Sequence, residues 1–224
     1  MNAAKKLKVS SLPQDFSPVS LPEIIKLASV VTGDGVVVYE RHDQPFYMET
    51  DRLVIRRFTP DDAEAVLALS LDRSTSSMKD FDEQWPTELE GCQAAADYFA
   101  GEDTCFAACL KPDMQLIGFI SYNHITDNGV LDLGHVWHTA YQDDDLGAEA
   151  LALMSQYAFE TKDIQGVCAR NPLDCAEQIA PLKSLGMEIL ETGEASFVND
   201  AQGNPIKFTW CWMKVTRGQW AARV

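Results

Sequence analysis

Positive charge is scarce in this chain of 224 residues: 18 Lys and Arg stand against 34 Asp and Glu, a formal net charge of −16. That balance argues against a nucleic-acid partner, because phosphate backbones are held by Lys and Arg. It suits cationic partners such as polyamines, aminoglycosides, basic peptides and amines in general, or it simply keeps the protein soluble. Long apolar runs are missing too. None nears the roughly 20 residues that span a bilayer, so no membrane partner is expected. Gln14, Asp15 and Ser17 interrupt what a secretory signal would need as its apolar core, and the expected location is cytoplasmic. With four histidines and no H-E-x-x-H pattern, a zinc site has little to stand on. The six cysteines (Cys92, Cys105, Cys109, Cys168, Cys175 and Cys211) form no C-x-x-C pair. Most stand among apolar neighbours, as reduced thiols acting as small hydrophobes do. No internal repeat is visible.

What is present is organised around YQDDDLGAEALALMSQYAF, Tyr141 to Phe159. Leu146, Ala150, Leu153, Met154, Tyr157 and Ala158 recur at helical spacing and predict a helix with one apolar face. Ahead of it stand Asp143, Asp144 and Asp145, where the free N–H groups of a helix start point outward. A loop feeding a helix N-terminus ordinarily receives an anion; this loop carries its own.

Residues 1–48 read as a small N-terminal extension, with a helical turn over 21–28 and a strand over 35–40. The main domain is expected over 49–216, followed by a short tail, 217–224. DRLVIRRF alternates as a strand, with Leu53 and Ile55 on one side. In the next segment Thr59 can cap a helix, Pro60 suits its first position and Asp61-Asp62 favour its positive end. An acidic loop with Asp80, Asp82, Glu83, Glu88 and Glu90 leads to a second helix over 89–100. Strands are expected over 105–110, 115–125 and, past the hairpin signal Asp127-Asn128-Gly129, over 130–138. A strand over 164–170 follows the central helix. The last helix, 174–185, contains Pro181, which should kink or restart it, and ends at Gly186, a natural C-cap. Strands over 187–198 and 206–215 close the chain. This order implies an α+β fold on a mixed, largely antiparallel sheet flanked by helices.

In that order, TDRLVIRRFTPDDAEAVLAL, LDLGHVWHTAYQ, AEALALMSQYAFE and LKSLGM resemble the GNAT superfamily of acyl-CoA-dependent N-acyltransferases. The similar branch is that of the ribosomal-protein N-terminal acetyltransferases, and the match runs from about Thr50 to Val215. The resemblance implies acetyl-CoA as co-substrate and a site in two halves. Backbone groups of Leu133 to His138, including Val136 and Trp137, would pair with the pantetheine arm. The loop after them would cradle the pyrophosphate with Gln142, Asp145, Gly147 and Ala148, and Asn171 would lie near the cofactor. Asp145 takes the place of a glycine in that pattern. A carboxylate about 5 Å from a phosphate charge costs about 3 kcal/mol at an effective dielectric near 20. Alternatively Asp145 caps the helix, its carboxylate replacing the phosphate.

Acyl transfer to an amine needs a base and donors for the thioester carbonyl. Asp132 and His135 are the candidate catalytic residues. Strand alternation puts Asp132 and His138 on one face and His135 on the other. No tyrosine stands in the last helix as general acid, and Cys175 is the reactive group nearest that place. The implied acceptor is an amine, either a small cation or a protein N-terminus, with a homodimer compatible with the reading. The alternative is a GNAT-like binding protein that has lost catalysis.

Overall fold

The computed structural model describes residues 28–31, 37–41, 44–81, 84–111, 113–142 and 145–223. The helical turn expected over 21–28 falls outside them but for Ala28, as do Asp82, Glu83, Asp143 and Asp144. The chain builds one 10-stranded sheet. In chain order its strands are β1 (Ala28–Val31), β2 (Val37–Arg41), β3 (Gln44–Glu49), β4 (Leu53–Arg57), β5 (Cys105–Leu110), β6 (Gln115–Ile125), β7 (Val130–Trp137), β8 (Gly166–Pro172), β9 (Glu188–Ala195) and β10 (Phe208–Thr216). The helices are α1 (Ala63–Thr75), α2 (Leu89–Gly101), α3 (Leu146–Thr161), α4 (Ala176–Ser184) and α5 (Arg217–Ala221). Strand order is β1-β2-β3-β4-β5-β6-β7-β8-β10-β9. β7 and β8 are parallel; the other neighbours are antiparallel. This is the mixed, largely antiparallel α+β architecture expected from the element order.

Both faces of the sheet are covered, which is why Leu53, Val54 and Ile55 of β4 and the whole of β5 are apolar. Leu53, Ile55, Phe106 and Leu131 pack under α3 and α4, against Ala150, Met154, Ile179 and Leu182. Val54, Ala107 and Cys109 pack on the opposite face with Val66 and Leu69 of α1 and Cys92 and Ala96 of α2. All six cysteines are buried free thiols. Burial raises the pKa of each, that of Cys109 to about 11, so they stay protonated and unreactive. Among the described residues no helix is long and apolar enough to cross a membrane.

Several local devices match the residues that announced them. Gly129 takes φ +71° in the β6–β7 hairpin. Gly186 takes φ +79° past α4, where its N–H donates to Lys183 and that of Met187 to Leu182, both carbonyls, as in a left-handed C-cap. The entry to α1 uses the residues expected of it. Pro60–Asp62 form a 3-10 turn with Thr59 as its N-cap, in a capping box completed by Asp62. Its carboxylate accepts from the Thr59 backbone N–H at 2.8 Å and takes a paired contact from Arg56 at 2.7 and 2.8 Å. Burial pushes the Asp62 carboxyl up, and the Arg56 and Thr59 bonds outweigh it, so the net shift is downward. Pro181 neither ends nor restarts α4, which runs through it. At the sixth of nine positions it removes one N–H bond, while Ile179 and Leu182 on either side stay anchored in the core.

Candidate functional site

β7 and β8 pair only from Val130↔Gly166 to Asp132↔Cys168. Beyond Asp132 the two strands part. The parting coincides with a bulge in the hairpin partner: Tyr122 opposes Leu133 and His124 opposes Asp132, leaving Asn123 as the extra residue. A bulge of this kind bends the pair and sharpens its twist. Gly134 makes room there, since a Cβ on it would fall 2.5 Å from the Ser121 hydroxyl, which itself donates to Asn123 Oδ1 at 2.7 Å. From Leu133 onward the β8-facing edge of β7 has no strand partner, which leaves backbone donors and acceptors along one wall of a slot.

Three side chains stand across that slot. Trp137 Nε1–H donates to His135 Nδ1 at 3.0 Å, and the Asn171 carboxamide lies 3.3 Å from His135 Nε2. Burial lowers the His135 pKa to about 4. The ring is therefore neutral at pH 7, with its Nδ1 lone pair engaged by the indole. The indole of Trp137 is wedged between two glycines. A Cβ on Gly118 of β6 would lie 2.3 Å from the ring, and one on Gly147 of α3 would lie 3.2 Å from it. Trp137 thus ties the end of β7 to the start of α3.

The loop into α3 runs from His138. His138 Nδ1 accepts from the Ala140 N–H at 3.2 Å, and Asp72 of α1 accepts from the N–H and hydroxyl of Thr139 at 2.8 and 2.6 Å. These contacts fix the corner. Asp145 then takes φ +57°, ψ 8° at the N-cap of α3, and its side chain makes no capping bond. This corrects the expectation that its carboxylate closes the helix end. The backbone at Asp145 has the left-handed form a glycine would give, one that Asp tolerates better than most residues. Gly147 and Ala148, in the first turn of α3, follow directly. Gln142 lines a narrow crevice with Val136, Trp137 and Gln178, so three of the expected cofactor contacts meet in one place. Gln178, which is 2% exposed, was not singled out in the sequence. It stands in the first turn of α4, three residues past Cys175.

Past the slot the space opens into a cavity of about 1060 Å³. Gly134, His135, Val136 and Asn171 form its slot end, and Glu102 and Glu191 bring carboxylates to its lining. Asp132 is not part of that lining. It is 8% exposed, with its carboxylate 3.5 Å from His124 and 3.9 Å from Arg170. The structure therefore brings together His135, Val136, Trp137, Gln142 and Asn171, sets Asp145, Gly147 and Ala148 at the helix end below them, and leaves Asp132 behind the slot. The glutamates were not foreseen because they come from the end of α2 and from β9, with no local pattern to mark them.

Residues 52–188 match the family model described as the acetyltransferase (GNAT) domain. No curated protein matches the chain by sequence. Among solved structures, a GNAT-family acetyltransferase from Bacillus anthracis superposes with a TM-score of 0.64 at 18% identity, covering 76% of this chain and 98% of its own. The ribosomal-protein-S5-alanine acetyltransferase from Vibrio fischeri gives 0.64 at 14%, covering 80% and 99%. The microcin C7 self-immunity acetyltransferase, solved with acetyl-CoA and AMP, gives 0.63 at 12%, covering 75% and 93%. At these identities the likeness is one of fold.

Proposed function

We infer the reaction from one premise: this chain belongs to the acetyltransferase (GNAT) domain family, whose acetyl donor is acetyl-CoA. The proposed activity is transfer of an acetyl group from acetyl-CoA to an amine. The observation that carries it is the parting of β7 from β8 after Asp132↔Cys168, next to a helix start whose N-cap side chain makes no capping bond. A slot with one unpaired strand edge fits an amide-bearing arm, which can add to that edge as a strand would. A helix N-terminus reached through a left-handed residue fits a phosphate. Val136 to His138 would hold the arm. Gln142, Asp145, Gly147 and Ala148 would meet the pyrophosphate, and Asn171 would close the far side.

When bound, acetyl-CoA supplies an activated acyl carbon. The chain must orient the amine, polarise the acyl oxygen and receive a proton. N–H groups on the free edge of β7 are placed to donate to that oxygen. His135 holds Asn171 and Trp137 in position. With its Nδ1 bonded to the indole, the proton of the amine leaves through water toward a cavity carboxylate. An Asp132 acting as base would need the same relay from farther back, and is proposed as a support of the Arg170 side of β8. The experiment is a calorimetric titration of the full chain with acetyl-CoA, followed by assay of thiol release with amine acceptors. Binding in the micromolar range is expected; absence of heat at millimolar cofactor would sink the reading.

A further inference from the structure

The walls of the cavity differ sharply from the acidic surface around it. Ten of its 25 lining residues are Phe, Tyr or Trp, against 9% aromatic residues in the chain. The far end is built from β10 and the segment after α1. Phe208 meets Phe81 edge-on at 4.8 Å between centroids and stacks on Phe197 at 5.8 Å. Trp210 lies flat against β9 over Gly193, where a Cβ would come within 2.5 Å of the indole. These rings sit on the β10 face opposite Cys211, Met213 and Val215, which pack into the core. They are half-buried or exposed although the sheet has an interior to offer them. Large aromatic surfaces held open to a cavity mark a ligand-binding wall. The lining holds two guanidinium groups: Arg73 lies over the Trp85 ring at 5.8 Å, and Arg170, its side chain 60% exposed, stands 3.9 Å from Asp132. Its carboxylates are Glu102 and Glu191.

We propose that the acceptor is a primary amine carried on a planar aromatic body, an arylalkylamine. Its ring would lie among Phe81, Phe208 and Trp210, and its amino group would point toward the slot at His135. The proposal rests on the acetyl-transfer reading and names its acceptor. A cation is favoured over an anion by the glutamates and by ring faces, which attract ammonium groups. An aromatic body is favoured over a flexible polyamine, because a polycation is held by carboxylates spaced along a groove and this lining has more rings than carboxylates. In the transfer the amine nitrogen forms a bond to the acyl carbon as the C–S bond breaks. Of the two protons the ammonium loses, one goes to the departing thiolate and one to solvent.

The test uses the full chain with 2-phenylethylamine, spermidine and an alanine-terminated peptide as acceptors, and with Phe208→Ala and Gly193→Ala as variants. Phenylethylamine should be acetylated with kcat/KM at least tenfold above the other two. Phe208→Ala should lower that value about tenfold, and Gly193→Ala, which displaces the Trp210 ring without touching the slot, should lower it severalfold. Acetyl-CoA affinity should be unchanged in both. Equal or better use of spermidine or the peptide, or unchanged kcat/KM in both variants, would overturn the proposal. If acetyl-CoA does not bind, the acetyl-transfer reading fails by itself, and calorimetry with phenylethylamine alone decides the pocket. Sub-millimolar binding weakened in Phe208→Ala supports it; no heat overturns it.

Discussion

His135 shows how one side chain links stability to the site. Its pKa falls to about 4 because burial disfavours the charged ring, whereas the unfolded chain keeps a value near the ordinary 6.5. Between those limits the unfolded state binds the extra proton, so stability is full above about pH 6.5 and falls as pH drops toward 4. The loss reaches up to about 3 kcal/mol for the whole shift. Urea unfolding at pH 7.5 and pH 5 should show a smaller acid loss in His135→Gln than in the wild type; an identical loss would mean the ring is not held neutral. Asp145 offers a second reading at this scale. Its φ of +57° costs an ordinary side chain roughly 1–2 kcal/mol, so Asp145→Ala should lower stability by about 1 kcal/mol. Asp145→Gly should stay within about 1 kcal/mol of wild type, since relief of strain is offset by chain entropy. Asp145→Gly should also bind acetyl-CoA severalfold more tightly, because a carboxylate leaves the phosphate end. Calorimetry and thermal unfolding of the pair check both.

At the scale of elements, Trp137 is the clasp between β6, β7 and α3. Gly147→Ala puts a methyl 3.2 Å from the indole, and overpacking of that size should cost about 1–3 kcal/mol. Gly118→Ala, at 2.3 Å from the same ring, should cost more. The two glycines are about 30 residues apart in sequence, so nothing local marks them as partners. The strands and helices were legible because hydrophobic periodicity and turn residues act locally: β5 and β6 fall on the residues expected, and Gly129 and Gly186 take the positive φ their positions call for. The entry to α1 was legible because Thr59, Pro60 and Asp62 act within four residues; the Arg56 fork on Asp62, which comes from β4, was not. The slot itself was legible only through resemblance. Its cause, the bulge at Asn123 meeting Gly134 across the hairpin, is a register effect that alternation does not reveal. The side chains it brings together span Gly134 to Asn171, and the aromatic wall comes from segments at 81 and 208 that meet only when the sheet forms.

For the whole molecule, the net charge of −16 becomes a statement about rates. A cationic acceptor approaches an acidic surface with help from its field, and salt weakens that help as the screening length falls from about 30 Å at 0.01 M to about 8 Å at 0.15 M. The KM of an amine acceptor should therefore rise severalfold across that range, while its kcat, set inside the cavity, stays nearly constant. A KM that falls or stays flat with salt would show that the surface charge serves solubility alone.

One measurement bears most directly on the central claim that the parted strands and the start of α3 at Asp145 form an acetyl-CoA site. It is the titration of the wild-type chain with acetyl-CoA by calorimetry, repeated with Gly147→Ala and Asp145→Gly. The account predicts micromolar binding, tighter in Asp145→Gly and weaker in Gly147→Ala. No heat in any of the three at millimolar acetyl-CoA would contradict it.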